Sequence, residues 1–313
     1  MGVSGNFKVL NIHEEGFMRI LIYGAGVIGS LYAALFAKTG YDVSIYARGK
    51  RLEVLQTKGL LYLENKSIRK ANVSICSKLE DNDIYDFILL TVRENQLYQA
   101  LEELRTNKSR CIVTMVNSVD DYSKWEQICG RGRILPAFPG AGGSIDGDIL
   151  DGALTPGFIQ PTTFGEISGI KTKRTRKLSE ILKKACIPYR EVKNMHIWQL
   201  CHLAMVVPIA DAYYEAVNPG KVGDEKNIML KTAKRLKRNF YFLKIKVGEL
   251  SPGKMNIFRF IPLNILAFAL KIIFNSRFGD KFMYRHAMKA QDEMKQLHKQ
   301  FYAYLRRRKN GII

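Results

Sequence analysis

The stretch MRILIYGAGVIGSLYAALFAKTGYDVSIYARGK, residues 18–50, decides the fold of the first half of the chain. The apolar run from Ile20 to Tyr23 predicts a buried strand that stops at a cluster of glycines. An Ala- and Leu-rich run at residues 27–39 predicts a helix, and residues 42–47 predict a second strand. The order strand, helix, strand predicts a βαβ unit, from which parallel sheets are built.

A glycine pattern lies between the first predicted strand and the helix. Gly24, Gly26 and Gly29 have G-x-G-x-x-G spacing. In this context the first glycine makes a tight turn, the second lets a pyrophosphate approach the backbone, and the third permits close helix–strand packing. The helix N-terminus then faces the phosphates. We predict a dinucleotide site made of Gly24, Ala25, Gly26, Val27, Ile28 and Gly29. The alternative is a purely structural turn.

The second predicted strand ends at Ala47, and Arg48 follows it. An NAD site usually has Asp or Glu at this point, where the carboxylate accepts hydrogen bonds from the ribose 2′-hydroxyl. A carboxylate repels a 2′-phosphate, whereas a guanidinium binds it through two hydrogen bonds. Arg48 therefore predicts NADP(H) as the cofactor. The alternative is a solvated residue at the start of a helix.

The alternation of strands and helices continues along the chain. YDFILLTVR at residues 85–93 and CIVTMVN at residues 111–117 predict buried strands, with an amphipathic helix between them. From Lys171 onward helical patterns dominate, and the long ones lie at residues 195–217, 224–244, 257–275 and 281–308. The predicted fold class is α/β followed by all-α: a Rossmann-type doubly wound parallel sheet, then helices only. The predicted domains are an N-terminal extension at residues 1–17, a cofactor domain at 18–193 and a helical substrate or dimerisation domain at 194–313.

The charge of the chain is uneven. The net charge of the 313 residues is +20, of which residues 1–170 contribute −1 and residues 171–313 contribute +21. The densest basic runs, at residues 230–244 and 304–310, have helical spacing and indicate solvated helix faces, so we predict no nucleic-acid partner. Five scattered cysteines without metal-ligand spacing predict reduced thiols, a cytoplasmic protein and no metal site.

One apolar run, residues 257–274, has nearly the length of a membrane span. Arg259, Pro262 and Lys271 interrupt it, so we predict a buried core or interface helix and no transmembrane span. Such a helix suits a homodimer interface, although the core of a monomer gives the same pattern. The first 17 residues contain no apolar core, so we predict no secretory signal.

Four motifs occur in order: YGAGVIG at residues 23–29, YARG at 46–49, LLTVRENQ at 89–96 and VTMVNSVD at 113–120. With them the chain resembles the ketopantoate reductase (2-dehydropantoate 2-reductase) family over nearly its whole length from Met18. The resemblance implies a cofactor domain followed by a helical domain, with NADPH bound in the cleft between them. It also implies that the ketone of a small 2-keto acid is reduced.

The resemblance implies further site residues. Arg93 occupies the position of a basic cofactor-contacting residue, commonly lysine, and Asn117 occupies the position between nicotinamide and substrate. Glu293 occupies the place of a cofactor-contacting glutamate. The loop at Gly140–Gly143 is expected to pass close to the nicotinamide. The chain departs from the family where a catalytic lysine is expected, because His202 stands there.

The family's two substrate-binding asparagines are also replaced, by Val206 and Ala210. A protonated histidine is a competent proton donor to a ketone oxygen, so we assign catalysis to His202 and Asn117; the alternative for His202 is a core residue. The predicted function is reduction of a 2-keto acid to a 2-hydroxy acid with NADPH, with ketopantoate as the first-choice substrate. A reductase of a more apolar keto acid and a non-catalytic NADP(H)-binding sensor are the alternatives.

Overall fold

The computed structural model describes residues 18–307, so the predicted extension at residues 1–17 lies outside the described residues. Twelve strands fall in the first two thirds of the chain. They are β1 (Arg19–Tyr23), β2 (Asp42–Tyr46), β3 (Leu60–Glu64), β4 (Ser67–Ala71), β5 (Ser74–Cys76), β6 (Phe87–Leu90), β7 (Ile112–Thr114), β8 (Ile134–Phe138), β9 (Ala141–Asp146), β10 (Ile149–Leu154), β11 (Thr162–Phe164) and β12 (Tyr189–Glu191).

Eight strands form the main sheet, in the order β12-β11-β8-β7-β6-β1-β2-β5. The six strands from β8 to β5 are parallel to one another. Strand β11 pairs antiparallel with β8, and β12 pairs parallel with β11. The predicted Rossmann-type fold followed by helices is therefore confirmed, and the sheet is mixed at one edge. Residues alternate between the two faces of β1: Ile20 and Ile22 pack in one buried cluster, and Leu21 and Tyr23 in the other.

A second sheet was not predicted from the sequence. It has four strands in the order β4-β3-β10-β9, and two antiparallel hairpins build it. Gly147, with φ of +61°, turns the β9–β10 hairpin, a backbone conformation that glycine adopts without strain. Residues Gly140–Gly143, predicted as a loop, therefore lead into and form part of strand β9.

Eleven α-helices accompany the strands within residues 18–307. They are α1 (Val27–Lys38), α2 (Gly49–Lys58), α3 (Leu97–Glu103), α4 (Ser123–Cys129), α5 (Lys173–Lys184), α6 (Met195–Glu215), α7 (Lys226–Val247), α8 (Ile257–Phe260), α9 (Leu263–Phe274), α10 (Arg285–Lys289) and α11 (Gln291–Arg306). Short 3₁₀ or π turns lie at Glu94–Gln96, Pro219–Asp224, Gly253–Asn256 and Gly279–Tyr284. Strand β12 ends at Glu191 and α6 begins at Met195, near the expected domain boundary, although the domain division itself stays a prediction.

Two of the predicted long helices are broken. The run at residues 257–275 divides into α8 and α9 because Pro262 lacks an N–H and forces Ile261 out of the helical conformation, at φ −52° and ψ 129°. The run at 281–308 divides at Ala290, whose φ and ψ are −121° and 37°. The second break separates α10 from α11 and allows them to point in different directions.

The apolar run at residues 257–274 is half buried. Leu266, Leu270 and Phe274 of α9 pack in the helical core, whereas Phe268 and Ile272 on its other face are exposed. No single helix of residues 18–307 is long and apolar enough to cross a membrane, and only the bent pair Gly253–Phe260 and Leu263–Phe274, at 118°, reaches the required length and composition together. The homodimer stays a prediction.

Helix α6 connects the helical region to the main sheet. The side chain of Gln199, fully buried on α6, donates hydrogen bonds to the carbonyls of Val116 (2.9 Å) and Ala137 (3.4 Å) and accepts one from the Tyr122 hydroxyl (2.7 Å). A buried amide left without partners costs about 1–3 kcal/mol, so these bonds hold α6 at one place over the ends of β7 and β8. They determine how the face of α6 that carries His202 meets the sheet.

Candidate functional site

Four predicted site segments meet at one edge of the main sheet. Gly24 follows β1, Arg48 follows β2, Arg93 follows β6 and Asn117 follows β7. These strands are parallel neighbours, so their carboxyl ends lie side by side. This is the edge at which open α/β sheets bind ligands.

The glycine loop has the geometry that its spacing predicts. Gly24 has φ of +113°, a backbone conformation that side chains rarely adopt. A Cβ added at Gly29 would lie 1.9 Å from the Gly24 carbonyl oxygen, so only glycine lets α1 approach the loop this closely. A Cβ added at Gly26 would meet nothing within 4 Å, so the loop faces open space there. Gly26 also precedes α1 directly, which places this space at a helix N-terminus.

Thr91, which the sequence analysis did not single out, supports this loop from the neighbouring strand. Its hydroxyl lies 2.9 Å from the Gly24 carbonyl oxygen, to which it donates, and 3.3 Å from that of Tyr23. The position directly after β6, one strand away from β1, is the signal that would have found it. Arg51 supports the loop from the other side, since its Nε donates to the Ala25 carbonyl at 3.1 Å.

Arg48 caps the start of α2, and its guanidinium lies at the end of β2 as predicted. The structure adds a carboxylate at this point, because Arg48 Nη1 lies 2.7 Å from Glu103 Oε1. Glu103 is the last residue of α3, far from Arg48 in sequence. The prediction of NADP(H) assumed that no carboxylate lies at the end of the second strand. This assumption is wrong, because the carboxylate of Glu103 and the guanidinium of Arg48 are both present there.

Asn117 lies in the loop after β7. Its Oδ1 is buried and accepts no hydrogen bond from residues 18–307. A buried carbonyl oxygen without a donor is costly, so this atom is suited to a ligand that donates a hydrogen bond. The role of Asn117 beside the nicotinamide stays a prediction.

Arg93 and Glu293 join the loop after β6 to the C-terminal helices. Arg93 Nη2 donates to the Lys289 carbonyl at 3.5 Å, and the backbone N–H of Glu94 donates to Glu293 Oε1 at 3.4 Å. Glu293 is 8% exposed. The structure thus brings both residues to the same side of the sheet edge, where the cofactor and helical regions meet.

His202 lies among aromatic rings. Its imidazole is stacked on Trp198 at 5.4 Å between ring centroids and lies 4.2 Å from the ring of Phe138, at the end of β8. Burial, and to a lesser extent the nearby His286, lowers the pKa of His202 to about 3. At neutral pH the imidazole is therefore uncharged. The catalytic role of His202 stays a prediction, but its premise of an imidazolium donor conflicts with this burial.

His286 is a second histidine of the site, and the sequence analysis did not find it. It is an exposed residue of α10, but its ring is desolvated by the surrounding side chains, which lowers its pKa; Glu293 raises this pKa and Arg93 lowers it. The carbonyl of the next residue, Ala287, accepts a 2.7 Å hydrogen bond from the Tyr214 hydroxyl of α6. No local pattern marks His286, since only the packing of α10 brings it to this cluster.

A pocket opens beside His202. Apolar side chains line it from α6 and from the turn before α8, and polar and basic side chains lie beside them; the residues include Trp198, Met205, Met255, Gln160, Thr163, Arg190 and Lys254. Ser251 and Pro252 close one side. An apolar wall with two cations suits a small organic anion that has an apolar side chain.

The comparison with protein families agrees with this geometry. Residues 20–167 match the family model described as ketopantoate reductase PanE/ApbA. Over this segment, which is 148 of the 313 residues, the chain is similar to the ketopantoate reductase family. The segment contains the glycine loop, Arg48, Arg93 and Asn117, so four predicted site segments lie inside the family's domain.

Two relatives carry the name 2-dehydropantoate 2-reductase. The protein of Mesorhizobium japonicum is 30% identical over 207 residues, a match that covers 58% of this chain and 62% of that protein's length. The protein of Pyrococcus horikoshii is 24% identical over 243 residues, covering 75% and 72% of the two chains.

Solved structures of two kinds of dehydrogenase or reductase share the fold at low identity. The 2-dehydropantoate 2-reductase of Geobacter metallireducens has a TM-score of 0.64 at 14% identity, covering 92% of this chain and 100% of that one. A D-mandelate dehydrogenase in complex with NADH has a TM-score of 0.63 at 14% identity, covering 92% and 98%. At this identity the likeness extends to the fold.

Compared with the ketopantoate reductase pattern, α6 is the part of the site that differs. The neutral His202 stands in place of the expected lysine, and the half-buried Val206 and buried Ala210 continue the same helix face without polar groups. The roles of these positions in binding a cofactor or a substrate stay predictions.

Proposed function

We propose that this chain is an oxidoreductase that reduces a small 2-keto acid to a 2-hydroxy acid with a nicotinamide dinucleotide, NADPH in the first place. The observation that carries the proposal is the open space at Gly26, at the N-terminus of α1 and the carboxyl edge of the sheet. The bound cofactor supplies the hydride. The family match of residues 20–167 supports the reaction class.

The chain's own residues bind and orient the cofactor. The loop from Gly24 to Gly29 presents backbone N–H groups to the pyrophosphate, and Arg48 attracts the ribose 2′-phosphate. The orphan Oδ1 of Asn117 accepts a hydrogen bond from the carboxamide, which orients the nicotinamide ring. The structure of a D-mandelate dehydrogenase with NADH supports a nicotinamide cofactor for this fold.

The ketone oxygen gains negative charge during reduction and requires a proton donor. A neutral His202 donates a hydrogen bond through one ring N–H but does not release that proton readily, because its pKa of about 3 refers to the cation. His286 is the more exposed residue of the two, so solvent can return its proton after each turnover; desolvation lowers its pKa as well, so the cation that donates the proton is populated at acidic pH. We therefore assign proton transfer to the histidine pair, with His202 positioning the substrate and His286 as the donor.

Ketopantoate is the first-choice substrate, since the relatives from Mesorhizobium japonicum and Pyrococcus horikoshii are named 2-dehydropantoate 2-reductases. A more apolar keto acid is favoured by a separate observation. The pocket beside His202 has an apolar wall of Trp198, Met205 and Met255, and Val206 and Ala210 remove polar partners from the same helix. Arg190 and Lys254 attract the carboxylate in either case.

The proposal is tested by NADPH oxidation with the purified chain and a panel of 2-keto acids, from ketopantoate to phenylglyoxylate. Turnover on ketopantoate at about 1–10³ per second supports the first choice. Turnover on the apolar acids alone supports the second. Tight NADPH binding without turnover on any acid contradicts the reductase and supports the non-catalytic sensor.

A further inference from the structure

The carboxylate of Glu103 is held at the end of β2 by several donors. Its Oε1 accepts hydrogen bonds from Arg48 Nη1 at 2.7 Å and from Gln99 Nε2 at 3.1 Å. Its Oε2 accepts from the Tyr23 hydroxyl and, at 3.4 Å, from the Tyr46 hydroxyl. The two carboxylate oxygens therefore have different partners, one facing the guanidinium and the other the tyrosines.

Two buried tyrosines, Tyr23 and Tyr46, hold this carboxylate in place. Tyr23 and Tyr46 stack at 4.5 Å between ring centroids, and both are buried, at 1% and 9% exposure. Burial and the hydrogen bond to Glu103 raise the pKa of Tyr23 far above its usual value, so the hydroxyl remains a donor throughout the physiological range. Arg48 lies with its guanidinium carbon 6.0 Å from the centre of the Tyr46 ring.

The ion pair itself remains open to a ligand. The side chains of Arg48 and Glu103 are 44% and 33% exposed, so solvent and solutes reach both. The end of the second strand is where a Rossmann site binds the adenosine ribose, and there a carboxylate favours a 2′-hydroxyl whereas an arginine favours a 2′-phosphate. Here the carboxylate of Glu103 and the guanidinium of Arg48, which favour different cofactors, contact each other.

We propose that Glu103 limits the preference of this site for NADPH over NADH, because a ribose 2′-phosphate must displace the Glu103 carboxylate from Arg48. The inference rests on the proposed function, since it assumes that adenosine binds at this edge. The dianionic phosphate also meets repulsion from the carboxylate, which the tyrosines prevent from turning away. A 2′-hydroxyl meets no such repulsion.

The test is calorimetric binding of 2′,5′-ADP and 5′-AMP, which differ in the 2′-phosphate, to the whole chain. Glu103→Gln keeps a side-chain oxygen for Tyr23 and removes the charge. We expect it to bind 2′,5′-ADP about three- to tenfold more tightly than the wild type, the scale of one exposed ion pair plus a screened repulsion. Its affinity for 5′-AMP should not rise, because the 2′-hydroxyl is neutral and loses a carboxylate acceptor.

Glu102→Gln is the matched control. It removes the same charge one residue earlier on α3, from a side chain that is 55% exposed and pairs with Arg105. It should leave both affinities unchanged. If both variants bind 2′,5′-ADP more tightly by the same factor, the effect comes from net charge and the inference is overturned. The inference is also overturned if Glu103→Gln binds 2′,5′-ADP with the same affinity as the wild type.

Two further outcomes are separable. If the wild type binds neither nucleotide, the proposed function fails and this inference fails with it; if the wild type binds both and Glu103→Gln changes nothing, only the inference fails. Should Glu103→Gln not fold, Glu103→Asp keeps the negative charge and shortens its reach toward Arg48. That variant should tighten 2′,5′-ADP binding by a smaller factor, and an unchanged affinity would contradict the inference.

Discussion

The hydroxyl of Thr91 donates a 2.9 Å hydrogen bond to the carbonyl of Gly24, and this contact joins the end of β6 to the glycine loop after β1. The same hydroxyl would lie 2.5 Å from a Cβ at Gly29. One side chain from a neighbouring strand thus supports the first glycine of the loop and borders the third. The shape of the nucleotide edge depends on this contact between strands.

Thr91→Val removes the hydroxyl and keeps the shape of the side chain. We expect a loss of about 1 kcal/mol in the free energy of unfolding and weaker binding of NADPH and NADH by the same factor, because the loop loses its support. Chemical denaturation and nucleotide titration measure the two effects. The control is Thr57→Val, whose hydroxyl bonds only to carbonyls of its own helix. A selective loss of NADPH binding in Thr91→Val would contradict a role in the loop.

Gly26→Val should affect NADPH binding, whereas Gly29→Ala should affect the stability of the fold. Gly26 has open space around a new Cβ, so the valine variant should fold normally and lose measurable NADPH binding. At Gly29 the new Cβ meets backbone at 1.9 Å, so even alanine should lower the free energy of unfolding by about 1–3 kcal/mol. Thermal unfolding and nucleotide titration separate the two. Unchanged NADPH affinity in Gly26→Val would exclude a dinucleotide site.

Arg48→Ala removes the cation that attracts the 2′-phosphate. The lost charge-assisted hydrogen bonds correspond to about 1.5–3 kcal/mol, and NADPH should lose this affinity while NADH loses little. Arg51→Ala is the informative comparison, because Arg51 donates to the Ala25 carbonyl and should affect both cofactors alike. Equal losses for both cofactors in Arg48→Ala would place the 2′-phosphate elsewhere.

The two histidines are distinguished by the pH dependence of turnover. His286→Gln should lower kcat by about 10²–10⁴, the range for a lost general acid, with NADPH affinity unchanged. His202→Gln should raise KM more than it lowers kcat, because a neutral, positioning imidazole is replaced by another neutral hydrogen-bonding group. If His202→Gln instead loses kcat and the pH dependence of the wild type, the proton comes from His202.

The depressed pKa of His202 also predicts how stability depends on pH. Its value falls from about 6.5 in the unfolded chain to about 3 in the fold, so the unfolded state binds the proton more readily. The contribution of the neutral His202 to the free energy of unfolding is complete above pH 6.5. It is lost as the pH falls toward 3, at about 1.4 kcal/mol per pH unit. His202→Gln should therefore show a shallower loss of stability between pH 6.5 and 3 than the wild type. Parallel curves would mean that folding does not lower the pKa of His202.

The sequence by itself determined the βαβ unit and its glycine loop. Ile20 to Tyr23, the glycine spacing and the helix that ends before Gly40 are local patterns, and each is specified by residues within one turn or one strand of one another. The placement of Arg48 and Asn117 followed as well, because parallel strands bring their carboxyl ends to one edge whatever the intervening chain does.

The chemistry at that edge depends on contacts between segments that are distant in the sequence. Glu103 reaches Arg48 from a helix 55 residues away, and His286 reaches the neighbourhood of His202 through the packing of α10 on α6. The charge state of His202 depends on burial between Trp198 and Phe138, which no spacing encodes. Ion pairs and desolvation act through space over a few ångströms, so the groups that set cofactor preference and proton transfer are determined by which distant segments pack together.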